Sequence, residues 1–150
     1  TVPTSAMNAK FLSTMTTHLL VEVEDLSLPS EKELDRIIEL TDEGILSASQ
    51  NPALSNRRDL RGRWKELRAL QIYIQARVSE QDSKPARKVQ QELGLENITS
   101  ARNLIERARQ HNYLSRSSDN DELEILPSAI SDAASIRELW IQAREMDKQA

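Results

Sequence analysis

Hydrophobic positions along this chain recur at helical spacing in five stretches and at strand spacing in very few. The longest stretch runs from Arg57 to Glu80, where Leu60, Trp64, Leu67, then Ala69 or Leu70, then Ile74 and Val78 mark one face, with Tyr73 beside them. Trp64 and Tyr73 are read as core residues on that face rather than as stacking platforms. Upstream, Ser30-Glu31-Lys32-Glu33 has the form of a capping box, opening a helix with Leu34, Ile37, Ile38 and Thr41 inward and ending near Gly44. Downstream, Val89 and Leu93 give a short helix an inward stripe, with Ser83 as its cap and Pro85 in its first turn, where the missing N–H costs nothing. Gly94 supplies a sharp turn. Asn97 or Thr99 then caps another helix, whose apolar positions are Ala101, Leu104, Ile105 and Ala108. A last helix, opened by Ser128 or Ser131 and running to about Lys148, carries Ile130, Ala134, Ile136, Leu139, Trp140, Ala143 and Met146.

The remaining segments read differently. Residues 1–18 are a polar lead with little to bury, ordered by a partner or not at all. The V-E-V-E alternation within Leu19–Leu28 predicts a short strand. Ser47–Asn56 has loop composition and reads as a linker. Apolar-bearing runs at 113–116 and 122–126 flank the turn residues Ser117–Asp121, which predicts either a β-hairpin or a plain loop.

The stretch S-K-P-A-R-K-V-Q-Q-E-L-G-L-E-N-I-T-S-A-R-N-L-I-E-R-A-R-Q-H-N-Y-L, residues 83–114, resembles bacterial helix-turn-helix regulators. In many of them the motif reads V-A-E-x-x-G-V-S-x-x-T-A-x-R-x-I-x-x-A-R-x-x-G-L-L. Val89, Gly94, Leu95, Thr99, Arg102, Leu104, Ala108, Arg109 and Leu114 carry the likeness, with one residue inserted after Gly94. Gln90 departs from it, standing where the family places a small Ala, and the insertion shifts the register of the second helix by one. The resemblance implies a mainly α protein: a helix-turn-helix core within roughly 57–116, a small β-hairpin wing and a C-terminal amphipathic helix. It also implies a recognition helix lying in the major groove of double-stranded DNA, in a transcriptional regulator that binds as a homodimer.

The residues themselves suit that role. Ser100, Arg102, Asn103 and Arg107 point away from the apolar stripe, where side chains reach phosphates and base edges. With Lys84, Arg87, Lys88, Asn97 and Thr99 they make up the candidate DNA contacts. Glu106 lies among them and has to avoid the phosphates. The wing tip, S-S-D-N-D, is acidic and would be repelled by DNA.

Charge distribution sharpens the picture. The chain has 150 residues, with 20 basic and 24 acidic, for a formal net charge of −4. Residues 1–50 hold 3 basic and 9 acidic residues, residues 51–116 hold 14 and 7, and residues 117–150 hold 3 and 8. All the positive excess therefore lies in the segment that contains the motif, as a polyanion partner requires. The acidic flanks either pair with this basic centre or contact a protein partner.

The expected organisation is an acidic N-terminal arm or small subdomain over 1–50, a DNA-binding domain over 51–126, and a C-terminal helix over 127–150. That last helix either folds back on the core or pairs with a second copy.

Enzyme chemistry finds little footing. The two histidines, His18 and His111, have no sequence neighbours that suggest a triad or metal site, and no Gly-rich phosphate loop occurs. The acidic run 119–124 lacks the glycine and spacing of a calcium loop. A non-enzyme with no cofactor or metal is expected. No cysteine, no secretory signal and no long apolar run occur, so a cytoplasmic protein without membrane contact is expected. A phage or plasmid DNA-handling or assembly adaptor, or a protein-interaction module that does not bind DNA, are the alternative readings.

Overall fold

A computed structural model describes residues 26–115 and 124–149, and within them the chain is mainly helical. Five α-helices follow one another: α1 (Glu31–Asp42), α2 (Arg57–Ile74), α3 (Pro85–Leu93), α4 (Ile98–Gln110) and α5 (Pro127–Gln149). None of the helices described is long and apolar enough to cross a membrane.

Local chemistry sets most of the boundaries. At α1 the capping box is complete: the Glu33 N–H donates to Ser30 Oγ at 3.2 Å, and the Ser30 N–H donates to Glu33 Oε1 at 3.1 Å. The Ser30 backbone N–H is also the main reason the Glu33 carboxyl is held below its usual range. Gly44, at φ +73°, turns the chain out of α1. Leu34, Ile37, Ile38 and Leu40 are buried, and Thr41 is half-buried, its hydroxyl donating back to the Ile37 carbonyl at 2.8 Å.

Within the segment read as a linker, Leu54 is buried. The Asn51 side chain caps a short 3₁₀ turn (Pro52–Leu54) that seats Leu54 in the core. Asn56 then caps α2 by accepting from the Asp59 N–H at 2.9 Å.

Helix α2 is central. It packs against α3, α4 and α5, while α5 also covers α1. Leu60, Trp64, Leu67, Ala69, Leu70, Ile72 and Ile74 are buried, and the Trp64 indole N–H donates to the Pro29 carbonyl at 2.8 Å. Each large apolar side chain fully buried here contributes about 1.5–3 kcal/mol. The single helix expected through Glu80 stops at Ile74; a π-helical turn, Gln75–Ser79, follows. This wider turn keeps Ala76 buried while Gln81, at φ +51°, redirects the chain towards α3.

Helix α5 folds back within the chain, on Ala129, Ala133, Ile136, Leu139 and Ala143. The inward small residue is Ala133 and not Ala134, which is exposed; three alanines on the buried face let α5 lie close to its neighbours. At its far end Arg36 grips Asp147, with Nη2 to Oδ1 at 2.7 Å. One hydrophobic cluster runs from Leu26 to Ala143 and takes in residues of all three charge segments.

Where the sequence predicts a hairpin or a plain loop, the described residues show an antiparallel bridge, Leu114 with Ile125, and no strand occurs among them. The hairpin tip, the polar lead 1–18 and most of the expected strand 19–28 lie outside the described residues; Leu26, Ser27 and Leu28 are not in a strand.

Candidate functional site

The α3–α4 unit is assembled by three local devices. Pro85 occupies the first position of α3, which places Lys84, not Ser83, at the N-cap. Lys84 has no side-chain cap to offer; instead its own N–H donates to Asp82 Oδ1 at 2.8 Å. The expected Ser83 cap is thus displaced by one residue, because Pro85 disfavours helical backbone at the residue before it and Lys84 stays outside the helix. Gly94 closes α3 in the left-handed conformation, at φ 62° and ψ 38°, and the Leu95 N–H reaches back to the Gln90 carbonyl at 3.0 Å. Asn97 then caps α4: its Oδ1 accepts from the Ser100 N–H at 2.9 Å and from Ser100 Oγ at 3.1 Å. Much of the hydrogen-bonding capacity of Asn97 and Ser100 is therefore spent on starting the helix.

Beyond the cap, α4 has two faces. Ala101, Leu104, Ile105 and Ala108 are buried against α2 and α3, at the positions expected. Thr99, Arg102, Asn103, Glu106, Arg107 and Gln110 are exposed, at alternating spacings of three and one that draw one stripe along the helix. Between the start of α3 and this stripe lies an open groove of about 920 Å³, lined by Lys84, Arg87, Arg102, Asn103, Glu106 and Arg109 among others. Arg107 stands outside the groove, further round α4.

Cations in and beside the groove differ from those elsewhere in their partners. Lys84, Arg87, Arg102 and Arg107 have no carboxylate partner among the described residues. Lys88 is 3.9 Å from Glu92, and Arg109 is 3.5 Å from Glu106. On the α1–α2 side, by contrast, Arg57 pairs with Asp42, Arg61 with Asp35 at 3.0 Å, and Arg36 with Glu39 and Asp147. Arg68 donates to Gln71 at 2.6 Å, and Arg63 donates to the Tyr113 hydroxyl at 3.3 Å. Arg58 and Lys65 remain exposed on α2.

A second polar arrangement, not visible in the sequence, seats the end of α4. Glu66 is 4% exposed and meets Nδ1 of His111, the residue that ends α4. Two residues on, Tyr113 is fully buried; its hydroxyl donates to Asp132 of α5, and Asn51 Nδ2 donates to the same carboxylate at 2.7 Å. Burial, and then this contact with Asp132, push the Tyr113 phenol above its usual range. These bonds tie α4 to both α2 and α5. No sequence signal marks them, since Glu66 falls in the middle of an amphipathic helix and Tyr113 at the edge of a turn. No metal-binding cluster occurs among the described residues.

Comparison of the chain with protein-family models, curated proteins and solved structures yields no match.

Proposed function

We propose that the chain is a DNA-binding protein, a transcriptional regulator that sets α4 into the major groove of a duplex, with α3 and Gly94 forming the rest of a helix-turn-helix. What supports this reading is the distribution of unsatisfied charge. Lys84, Arg87, Arg102 and Arg107 gather on the α3–α4 unit without carboxylate partners among the described residues, whereas most arginines of α1 and α2 are held by the chain's own acids or hydrogen-bond acceptors. A cationic groove of this kind suits the phosphates flanking a major groove, and the exposed stripe of α4 carries Arg, Asn and Thr, side chains suited to base edges.

The test is fluorescence anisotropy of the chain with random duplex DNA from low to physiological salt. Binding should weaken steeply with salt. In the double variant Arg102→Ala/Arg107→Ala the log–log slope should become shallower by about 0.9 for each phosphate no longer neutralised. An unchanged slope and affinity in that variant would overturn the assignment of α4 to the duplex. A flat response of the wild-type chain would overturn DNA binding itself.

A further inference from the structure

Along the exposed stripe of α4 the side chains differ in what they can exchange with a base edge. Arg102 and Arg107 only donate hydrogen bonds; Thr99, Asn103 and Gln110 both donate and accept; ionised Glu106 only accepts. Its side chain is 56% exposed, on the face shared with Asn103 and Arg107, and it also lines the groove. It takes no part in capping α4 or in holding the core. Arg109, one turn on, is 3.5 Å away and neutralises it only loosely, because an exposed pair at this spacing has little strength in water.

A carboxylate placed against a duplex is repelled by phosphate unless a base supplies a donor. In the major groove the donors are the amino groups of cytosine and adenine. Adenine sets its amino group beside N7, whose lone pair opposes a second carboxylate oxygen. Cytosine offers the amino group with an acceptor on one side only, O6 of its paired guanine, whereas the adenine amino group lies between N7 and thymine O4. The guanine paired with it presents O6 and N7, which suit a guanidinium, and Arg102 and Arg107 flank Glu106 on the stripe.

We infer that Glu106 determines specificity: its carboxylate accepts from the amino group of a cytosine while Arg102 or Arg107 takes the guanine edge of the same or an adjacent G·C pair. This inference rests on the reading of α4 as a groove-binding helix and adds the class of site it reads. The exposed carboxylate thereby has a positive role: it lowers affinity for arbitrary sequence and restores it where a G·C pair is correctly placed.

The experiment uses the full chain. A duplex is selected from a random pool by the wild type, and anisotropy is then measured on that duplex, on versions with each G·C pair replaced by A·T, and on random duplex. At one G·C position the replacement should weaken wild-type binding about tenfold or more. Glu106→Gln should lose that discrimination while binding random duplex more tightly, since one repelling charge is gone. Glu106→Asp keeps the charge but is one methylene shorter; it should lose the discrimination without tightening on random duplex. Helical circular dichroism equal to wild type checks that both variants fold. If both variants keep the wild-type ratio at every position, the inference is overturned and the DNA reading survives. Wild-type binding that shows no salt dependence would remove the DNA reading and this inference together.

Discussion

Arginine does two different jobs in the two halves of this molecule. Around α1, α2 and α5 it ties helices together: Arg57 reaches Asp42, Arg61 reaches Asp35, and Arg36 joins α1 to Asp147 near the end of α5. On α3 and α4, Arg87, Arg102 and Arg107 reach no carboxylate among the described residues. Residue type and exposure are alike in the two regions; what differs is whether an acidic helix lies alongside. The acidic N-terminal segment supplies those acids to α2, and α4 is left without them. Local net charge thus overstates the cationic surface available on α2 and describes that on α3–α4 more faithfully.

The largest effect should come from the contact that anchors α4 beneath this cationic surface. Glu66 is buried, and His111 is its partner. His111→Ala strands the carboxylate, and a buried polar group left without its partner costs about 1–3 kcal/mol. Urea unfolding of His111→Ala should show destabilisation of that size, and the double variant Glu66→Leu/His111→Leu should recover much of it, since removing both partners is far less costly than removing one. Destabilisation below about 0.5 kcal/mol in the single variant would mean that Glu66 does not depend on His111 and that α4 is seated by its apolar face alone.

The contrast between the two regions is only partly legible in the sequence, for a physical reason. Devices that act over three or four residues leave clear marks: Ser30 with Glu33, Gly94 after α3, Asn97 before α4, and the inward stripe Ala101, Leu104, Ile105, Ala108. The cap expected at Ser83 falls one residue later because Pro85 outweighs a hydroxyl in deciding where α3 begins. Periodicity points to Ala134 where Ala133 is the buried residue, because two adjacent alanines cannot be told apart until a neighbouring helix fixes the face. Pairings across the fold leave no mark at all. Asp42 with Arg57, Asp35 with Arg61, Glu66 with His111 and Tyr113 with Asp132 join residues far apart in sequence, and periodicity carries no information about which acid meets which base. The charge partition locates the basic segment; only packing shows which of its cations already have partners.

A middle-sized effect follows from the paired side. Arg57→Ala/Arg61→Ala removes two exposed ion pairs, each worth about 1 kcal/mol or less, so thermal stability should fall by a few degrees at most. Because both guanidinium groups are engaged by α1, DNA affinity at physiological salt should change by less than about threefold, well short of the weakening expected from Arg102→Ala/Arg107→Ala. Equal weakening in the two double variants, measured side by side by anisotropy, would break the comparison and make α2 part of the binding surface.

The smallest effect is acid-dependent and confined to the tied side. Arg36 beside Asp147 holds that carboxyl below its usual range, as the Ser30 N–H does for Glu33. A carboxyl depressed in the folded state adds stability above its unfolded value, about 4, and that contribution disappears as pH falls through the lowered folded value. The junction of α1 with the end of α5 should therefore loosen below about pH 4. Hydrogen exchange at about pH 6, above that window, and at about pH 2.5, well into it, should show faster exchange at the lower pH in the last turns of α5, once corrected for intrinsic rates. Asp147→Asn should show that faster exchange already at the higher pH and little further change on acidification, because the group that titrates is gone. If exchange in α5 of the wild type is the same at both pH values, the Arg36–Asp147 contact does not hold the two helices together. The difference between the two halves would then lie in which cations are exposed and not in what their pairing stabilises.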